Sequence, residues 1–241
     1  AVDTYDHMQR LVWAVRNVHK LIMHEDNPSE LVQKACTTLT ETLGYSHAWI
    51  GLLDDSGKTV SEAAASGFTE SFAGIRERLR RGHLPKCMSE ALDDSGVVLL
   101  RNPAAYCTDC PLVAAYPDRS ILARALSFQG TVFGALIVSL PPEIAENADE
   151  LMVFGELAED IGFALHRISS ARRLRETERR YVEIFERSRD GILFTDPSGR
   201  ILDANAAFCT MLGYSLEELT EGRCFHDLTA QRWTPWEREE I

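Results

Sequence analysis

The most distinctive chemical motif in the sequence is Cys107-Thr108-Asp109-Cys110-Pro111. A two-residue spacing lets two thiolates converge on one metal ion or form a redox pair. Cys87 and His83 are the residues available to complete a four-ligand set, whose side chains would have to meet a zinc ion at about 2 to 2.3 Å. Three readings of the group stay open. Cys107 and Cys110 are loop thiols with Cys87 a small buried helical residue, or the group ligates a metal or iron-based cofactor, or it forms a reversible disulfide.

The remaining reactive side chains point nowhere in particular. His7, His19, His24, His47, His83, His166 and His226 show no pairing with serine or carboxylate at a recognisable spacing, so each defaults to a solvated or helix-surface role. His166 is followed by Ile168-Ser169-Ser170, where a phosphoaccepting kinase helix would carry Glu and Pro close behind the histidine. Trp13, Trp49, Trp233 and Trp236 read as core or interface anchors, because stacking platforms for bases need basic surroundings. A formal net charge of −12 over 241 residues denies them those surroundings and excludes a general nucleic-acid binder. The local cluster Arg167, Arg172, Arg173, Arg175, Arg179 and Arg180 is interleaved with Glu176 and Glu178, as on a solvated helix.

The elements that must position these groups follow from periodicity. Leu11, Val12, Val15, Val18, Leu21 and Ile22 mark a helix to His24, and Leu31, Ala35, Leu39 and Leu43 a second one stopped by Gly44. Residues 47–53 and 59–66 read as a hairpin around Asp54-Asp55-Ser56-Gly57. Helices are expected over 70–81 and 86–92, a short strand over 97–100, an irregular loop over 102–118, and two strands over 120–127 and 131–140 joined at Gln129-Gly130. From 143 to 187 only two glycines interrupt a helix, and Leu151, Phe154, Ala158, Ile161, Leu165 and Ile168 alternate by three and four as in a coiled-coil seam. The order describes an α+β fold, an antiparallel sheet flanked by helices.

These elements carry a resemblance to the GAF domain over about residues 25–165. It rests on Gly44-Tyr45 with Trp49-Ile50-Gly51-Leu52-Leu53, the helix Cys87 to Leu92 leading into Val97 to Leu100, and Gly134-Ala135-Leu136-Ile137-Val138. The resemblance implies a ligand cavity between sheet and covering helices, which Trp49, Phe68, Phe72, Tyr106, Tyr116 and Phe128 would line; the same six would equally furnish an ordinary core. From about 181 to 241, Phe185 to Ile192, Asp196-Pro197-Ser198-Gly199, Asp203-Ala204-Asn205, and Met211-Leu212-Gly213-Tyr214 resemble the opening half of a PAS domain. Asp196 to Gly199 is a hairpin turn, Asn205 a helix cap and Gly213 a helix stop. Only two strands of that domain are expected here, which leaves a sheet edge open.

The two resemblances imply an α+β sensor joined by a signalling helix to a second, partial sensor, with no catalytic centre of its own. The expected function is the input module of a signalling protein that senses a small ligand, a metal or redox state and acts through a homodimer formed along the helix on an output domain elsewhere in the chain. The rival readings are a thiol-based oxidoreductase of GAF fold, in the manner of free methionine sulfoxide reductases, and a ligand-free dimerisation module. The cofactor is left open, with a cysteine-ligated metal as the candidate. Bilin is disfavoured because no cysteine precedes a histidine, and a flavin adduct because Cys224 is flanked by Arg and Phe instead of lying in an Asn-Cys-Arg-Phe run. No apolar run reaches the roughly 20 residues of a membrane span. With six scattered cysteines read as reduced thiols, a cytoplasmic location without membrane contact is expected.

Overall fold

The computed structural model describes residues 2–68 and 71–228; Trp233 and Trp236 lie outside them. Two compact units divide at Ser170/Ala171.

The first unit opens with α1 (Val2–His24) and α2 (Pro28–Thr42). Asn27 caps α2 by accepting from the Ser29 amide at 3.0 Å, with Pro28 in the first turn, and Gly44 leaves it at φ +73°. On α1, Leu11, Val18 and Ile22 are buried while Val12 is 64% exposed, so the apolar stripe is narrower than the spacing alone implied. Strands β1 (His47–Leu53) and β2 (Val60–Ser66) form the expected hairpin. In its turn Asp54 accepts from the Ser56 and Thr59 hydroxyls at 2.7 and 2.8 Å. Then come α3 (Ser71–Arg80), α4 (Lys86–Asp93), β3 (Val98–Leu100), β4 (Ser120–Phe128) and β5 (Thr131–Leu140). The sheet runs β2-β1-β5-β4-β3, antiparallel throughout. Its β4–β5 connection is only Gln129-Gly130, both at positive φ (49° and 78°), the backbone that two-residue hairpins need to match strand twist.

Strand alternation sorts the core into two layers. Ala48, Ile50, Leu52, Leu122, Leu126, Leu136 and Val138 face α1, α2 and the long helix; Trp49, Ile121, Ala123, Ala135 and Ile137 face α3, α4 and the following loop. That loop is less irregular than the sequence implied: Pro103–Tyr106 forms one helical turn (α5) and Val113–Ala115 a 3₁₀ turn.

The long helix is also shorter than 143–187. Pro142–Ala145 forms a separate turn (α6), and Asn147 accepts from the Asp149 amide at 2.9 Å, starting a new helix, α7 (Ala148–Arg187). The seam residues Phe154, Ala158, Ile161, Leu165 and Ile168 are buried against this unit's own sheet, so they do not constitute an intermolecular coiled-coil seam. Two glycines on the same side let the helix approach closely: a Cβ on Gly162 would lie 2.7 Å from the Ser127 carbonyl oxygen, and one on Gly155 would strike the Arg124 guanidinium. Every residue from 170 to 184 is exposed.

The second unit contains β6 (Leu193–Thr195) and β7 (Ile201–Ala204), an antiparallel hairpin turned at Asp196, which accepts from the Ser198 and Arg200 amides at 2.9 and 3.0 Å. Buried Asn205 is fully used. Its Oδ1 accepts from the Ile192 and Phe208 amides, both at 2.9 Å, and its Nδ2 donates to the Phe185 and Asp190 carbonyls at 2.8 and 3.0 Å. It thereby caps α8 (Ala206–Leu212), which Gly213 ends in the left-handed conformation as expected. A capping box between Ser215 and Glu218 starts α9 (Leu216–Thr220). Ile201, Ala204 and Leu219 are the buried centre of this unit among the described residues.

Candidate functional site

The 102–118 loop is a string of tight turns. The Cys107 amide bonds the Pro103 carbonyl at 2.7 Å, the Cys110 amide the Cys107 carbonyl at 3.0 Å, and the Val113 amide the Cys110 carbonyl at 3.1 Å. Pro111 can follow because its position needs no donor. Arg78, near the end of α3, fastens the loop by donating to the Asp109 carbonyl. Gly82 at φ +79° closes α3, with the His83 amide reaching back to the Arg78 carbonyl at 3.0 Å. The chain then turns at Pro85 into α4, where no side chain of the capping residue satisfies the first amides.

That unsatisfied helix start meets Cys107. The buried Cys87 thiol and its backbone amide are directed at the Cys107 sulfur but make no hydrogen bond of ordinary geometry with it. These contacts, with Lys86 nearby, hold the Cys107 thiol down at about 7 against the opposing effects of burial and Glu90. The nearby Cys107 sulfur and burial push Cys87 well up. Cys110 is pushed up by burial, against the opposing effect of the nearby Leu112 and Val113 amides. Three thiols from α4 and the loop thus share one neighbourhood. The Tyr116 hydroxyl belongs to it as well, raised by burial and by Cys87, Cys110 and Cys107. The buried Trp49 indole N–H is directed at that hydroxyl but makes no hydrogen bond of ordinary geometry.

Over Cys107 and Cys110 lies a cleft of about 460 Å³, walled by Arg78, His83, Lys86, Ser89, Tyr106 and Asp109. This volume suits a small molecule. Half-exposed Tyr106 stands at its edge with the Lys86 ammonium 4.9 Å from its ring centre.

Some of the residues that sequence spacing singled out come together in the fold and others do not. Cys107, Cys110 and His83 line the cleft and Cys87 lies behind it, yet among the described residues no group of three or more His, Cys, Asp or Glu is arranged to hold a metal ion. The four do not stand as a preformed metal centre. Trp49, Phe68, Phe72 and Tyr116 do come together, but ring to ring: Phe68 is 5.5 Å from Phe72 and 6.1 Å from Tyr116, and Trp49 is 6.2 Å from Phe72. They fill the core beneath the covering helices, with His47 4.6 Å from Phe68. Phe128 is elsewhere, against Phe163 and His166 on the α7 side of the sheet, at 5.1 Å from each. Strand alternation already pairs it with Leu122 and Leu126. Arg78 and Lys86 were missed; Lys86 adjoins Cys87 in sequence, whereas nothing in the spacing marks Arg78.

The GAF domain model matches residues 25–166 and the PAS domain model residues 179–241. Among solved structures, the GAF domain of a phosphoenolpyruvate-protein phosphotransferase from Coxiella burnetii superposes with a TM-score of 0.55 at 13% identity, over 68% of this chain and 96% of that one. The nlh2 GAF domain of A. aeolicus, in an inactive state, gives 0.51 at 14% identity, over 69% and 99%. A GAF domain/HD domain protein from Geobacter sulfurreducens gives 0.50 at 15%, over 63% and 97%. At such identities the likeness is one of fold.

Proposed function

This chain belongs to the GAF domain family, and from that premise we propose that it is the input module of a signal-transduction protein, reading redox state or a small ligand at the cleft over Cys107 and Cys110. GAF and PAS domains are sensory domains of signalling proteins, and this chain carries matches to both. The observation that carries the relay is α7. One helix contributes Phe154, Ile161 and Leu165 to the core of the first unit and Phe185, buried beside Phe194, to the second. A change at the cleft that alters packing of the sheet layer on α7 then has a covalent route to the second unit. No helix among the described residues is long and apolar enough to cross a membrane.

In this reading the module works as a homodimer in a longer protein with an output domain. Support for self-association comes from Leu174, Val182 and Ile184, exposed on α7 beyond the part packed on the sheet. The test is deuterium exchange of amides 171–187, compared between fully reduced protein and protein oxidised at the cleft, with light scattering over a wide concentration range alongside. Altered protection in a dimer is expected; identical exchange in both states sinks the relay.

A thiol-based oxidoreductase is the second reading, favoured by the gathering of Cys87, Cys107 and Cys110 in one neighbourhood. Sustained turnover of a disulfide or sulfoxide with added thiol reductant would select it over a sensor that is oxidised once and stays oxidised.

A further inference from the structure

The interior space expected between the sheet and its covering helices is filled by the rings of Trp49, Phe68, Phe72 and Tyr116. The cleft of about 460 Å³ is a different place, walled by the end of α3, the start of α4 and the loop of Cys107 and Cys110. Two kinds of surface meet in it. Leu84, Tyr106 and Pro111 are apolar, while Arg78, His83 and Lys86 supply polar hydrogens; among the described residues its only carboxylate is Asp109. The charge around it is of one sign. From 76 to 86 the chain carries Arg76, Arg78, Arg80, Arg81 and Lys86 against Glu77 alone, in a protein whose net charge is −12. Such a field at a concave wall concentrates anions. The Arg78 guanidinium gives an N–H to the Asp109 backbone carbonyl, a neutral partner, so its charge and the rest of its donor fork are not spent there. Lys86 stands 3.7 Å from Glu90 in an exposed pair, too loose to hold the ammonium in place. The first turn of α4 belongs to the same wall. Pro85 starts that helix without a side-chain cap, and the Met88 and Ser89 amides return to the Pro85 carbonyl at 3.0 Å, which leaves the positive end of the helix beside the two cations.

We propose that the cleft binds a small organic anion, a carboxylate or a phosphate monoester carrying one ring or a short chain. The anionic group lies between Arg78 and Lys86, and the apolar part lies against Tyr106, Leu84 and Pro111. The roles of the two cations differ. A guanidinium offers parallel N–H groups that match the oxygens of a carboxylate or phosphate, whereas an ammonium acts as a point charge on a flexible stem. Asp109 is the group on the wall that opposes the ligand. An anion held in this way ties Arg78 on α3 to Lys86 on α4, the two helices that cover one face of the sheet, α3 on β2 and α4 on β4 and β5. The proposal rests on the reading of the cleft as the input of the module, and gives that input a chemical class.

Phenyl phosphate and phenylacetate are titrated into the reduced protein at low salt, beside neutral benzyl alcohol and cationic phenethylamine, and binding is read from amide chemical shifts over 82–89 and 106–111. Both anions are expected to move these amides with an affinity about tenfold above that of benzyl alcohol, and to lose it as salt rises. The tighter of the two tells a phosphate ester from a carboxylate. Lys86→Gln, with its fold checked by circular dichroism, should weaken both anions about tenfold, and Asp109→Asn, which keeps the backbone carbonyl that Arg78 holds, should tighten them. Absence of shifts at these amides with either anion, equal affinity for phenethylamine, or anion binding indifferent to Lys86→Gln and Asp109→Asn overturns the proposal. Deuterium exchange at 171–187 separates it from the reading beneath it. Anion binding that leaves that exchange unchanged supports the site and defeats the input role, whereas exchange that responds to oxidation in a protein blind to both anions keeps the input role and defeats the site.

Discussion

Cys107 shows how one sulfur can be tuned by the groups around it. Its thiolate is favoured chiefly by the Cys87 S–H, then by the Cys87 amide at the start of α4, against burial. The proximity that lowers one thiol raises the other. The expected consequence is an iodoacetamide alkylation rate at Cys107 with its midpoint near pH 7, where an ordinary thiol of 9.0 is about one hundredth ionised. Removing the donor in Cys87→Ala should move the midpoint upward toward the ordinary value. A profile that stays in place would mean that the helix start alone sets the reactivity.

Elements explain where sequence reading succeeded. Local chemistry marked the Asn205 and Gly213 caps and the Asp196 and Gln129-Gly130 turns, because each is fixed by residues close together in the chain. The break between α6 and α7 was missed since Asn147 looks like any polar helical residue until its side chain is seen on the Asp149 amide. The seam on α7 was legible as a period of three and four, but a period does not name its partner, and the partner is the sheet. At the site, the Cys-x-x-Cys spacing advertised the loop and Cys87 was already a candidate to join it, whereas the turn at Pro85 that starts α4 beside the loop belongs to the fold. Close packing of α7 on β4 carries its own prediction. Gly162→Ala puts a methyl against the Ser127 carbonyl and should cost about 1–3 kcal/mol, measured by urea denaturation, more than an alanine in an exposed helix would change. Stability equal to wild type would show that the helix can back away freely.

At the scale of the whole molecule, the two units differ in how much they bury. The first has apolar layers on both faces of a five-stranded sheet, while the second, among the described residues, centres on Ile201, Ala204 and Leu219 beneath a two-stranded one. Small units with few buried apolar groups are marginal. Amides of β6 and β7 are therefore expected to lose exchange protection at lower urea than those of β1, β4 and β5, and a single coincident transition would show that the units unfold as one. The glycines of α7 bear on movement within the first unit. Gly155 and Gly162 lie seven residues apart, close to two helical turns; Gly162 seats over a fixed obstacle, the Ser127 backbone, and Gly155 over the movable end of the Arg124 side chain. The helix thus meshes with β4 like a toothed rack on a pawl. Creeping by one residue would drive Ile161 or Phe163 against the Ser127 backbone, so axial sliding is opposed there, and the stroke open to this helix is a tilt that lifts it off β4 or a jump of a full notch.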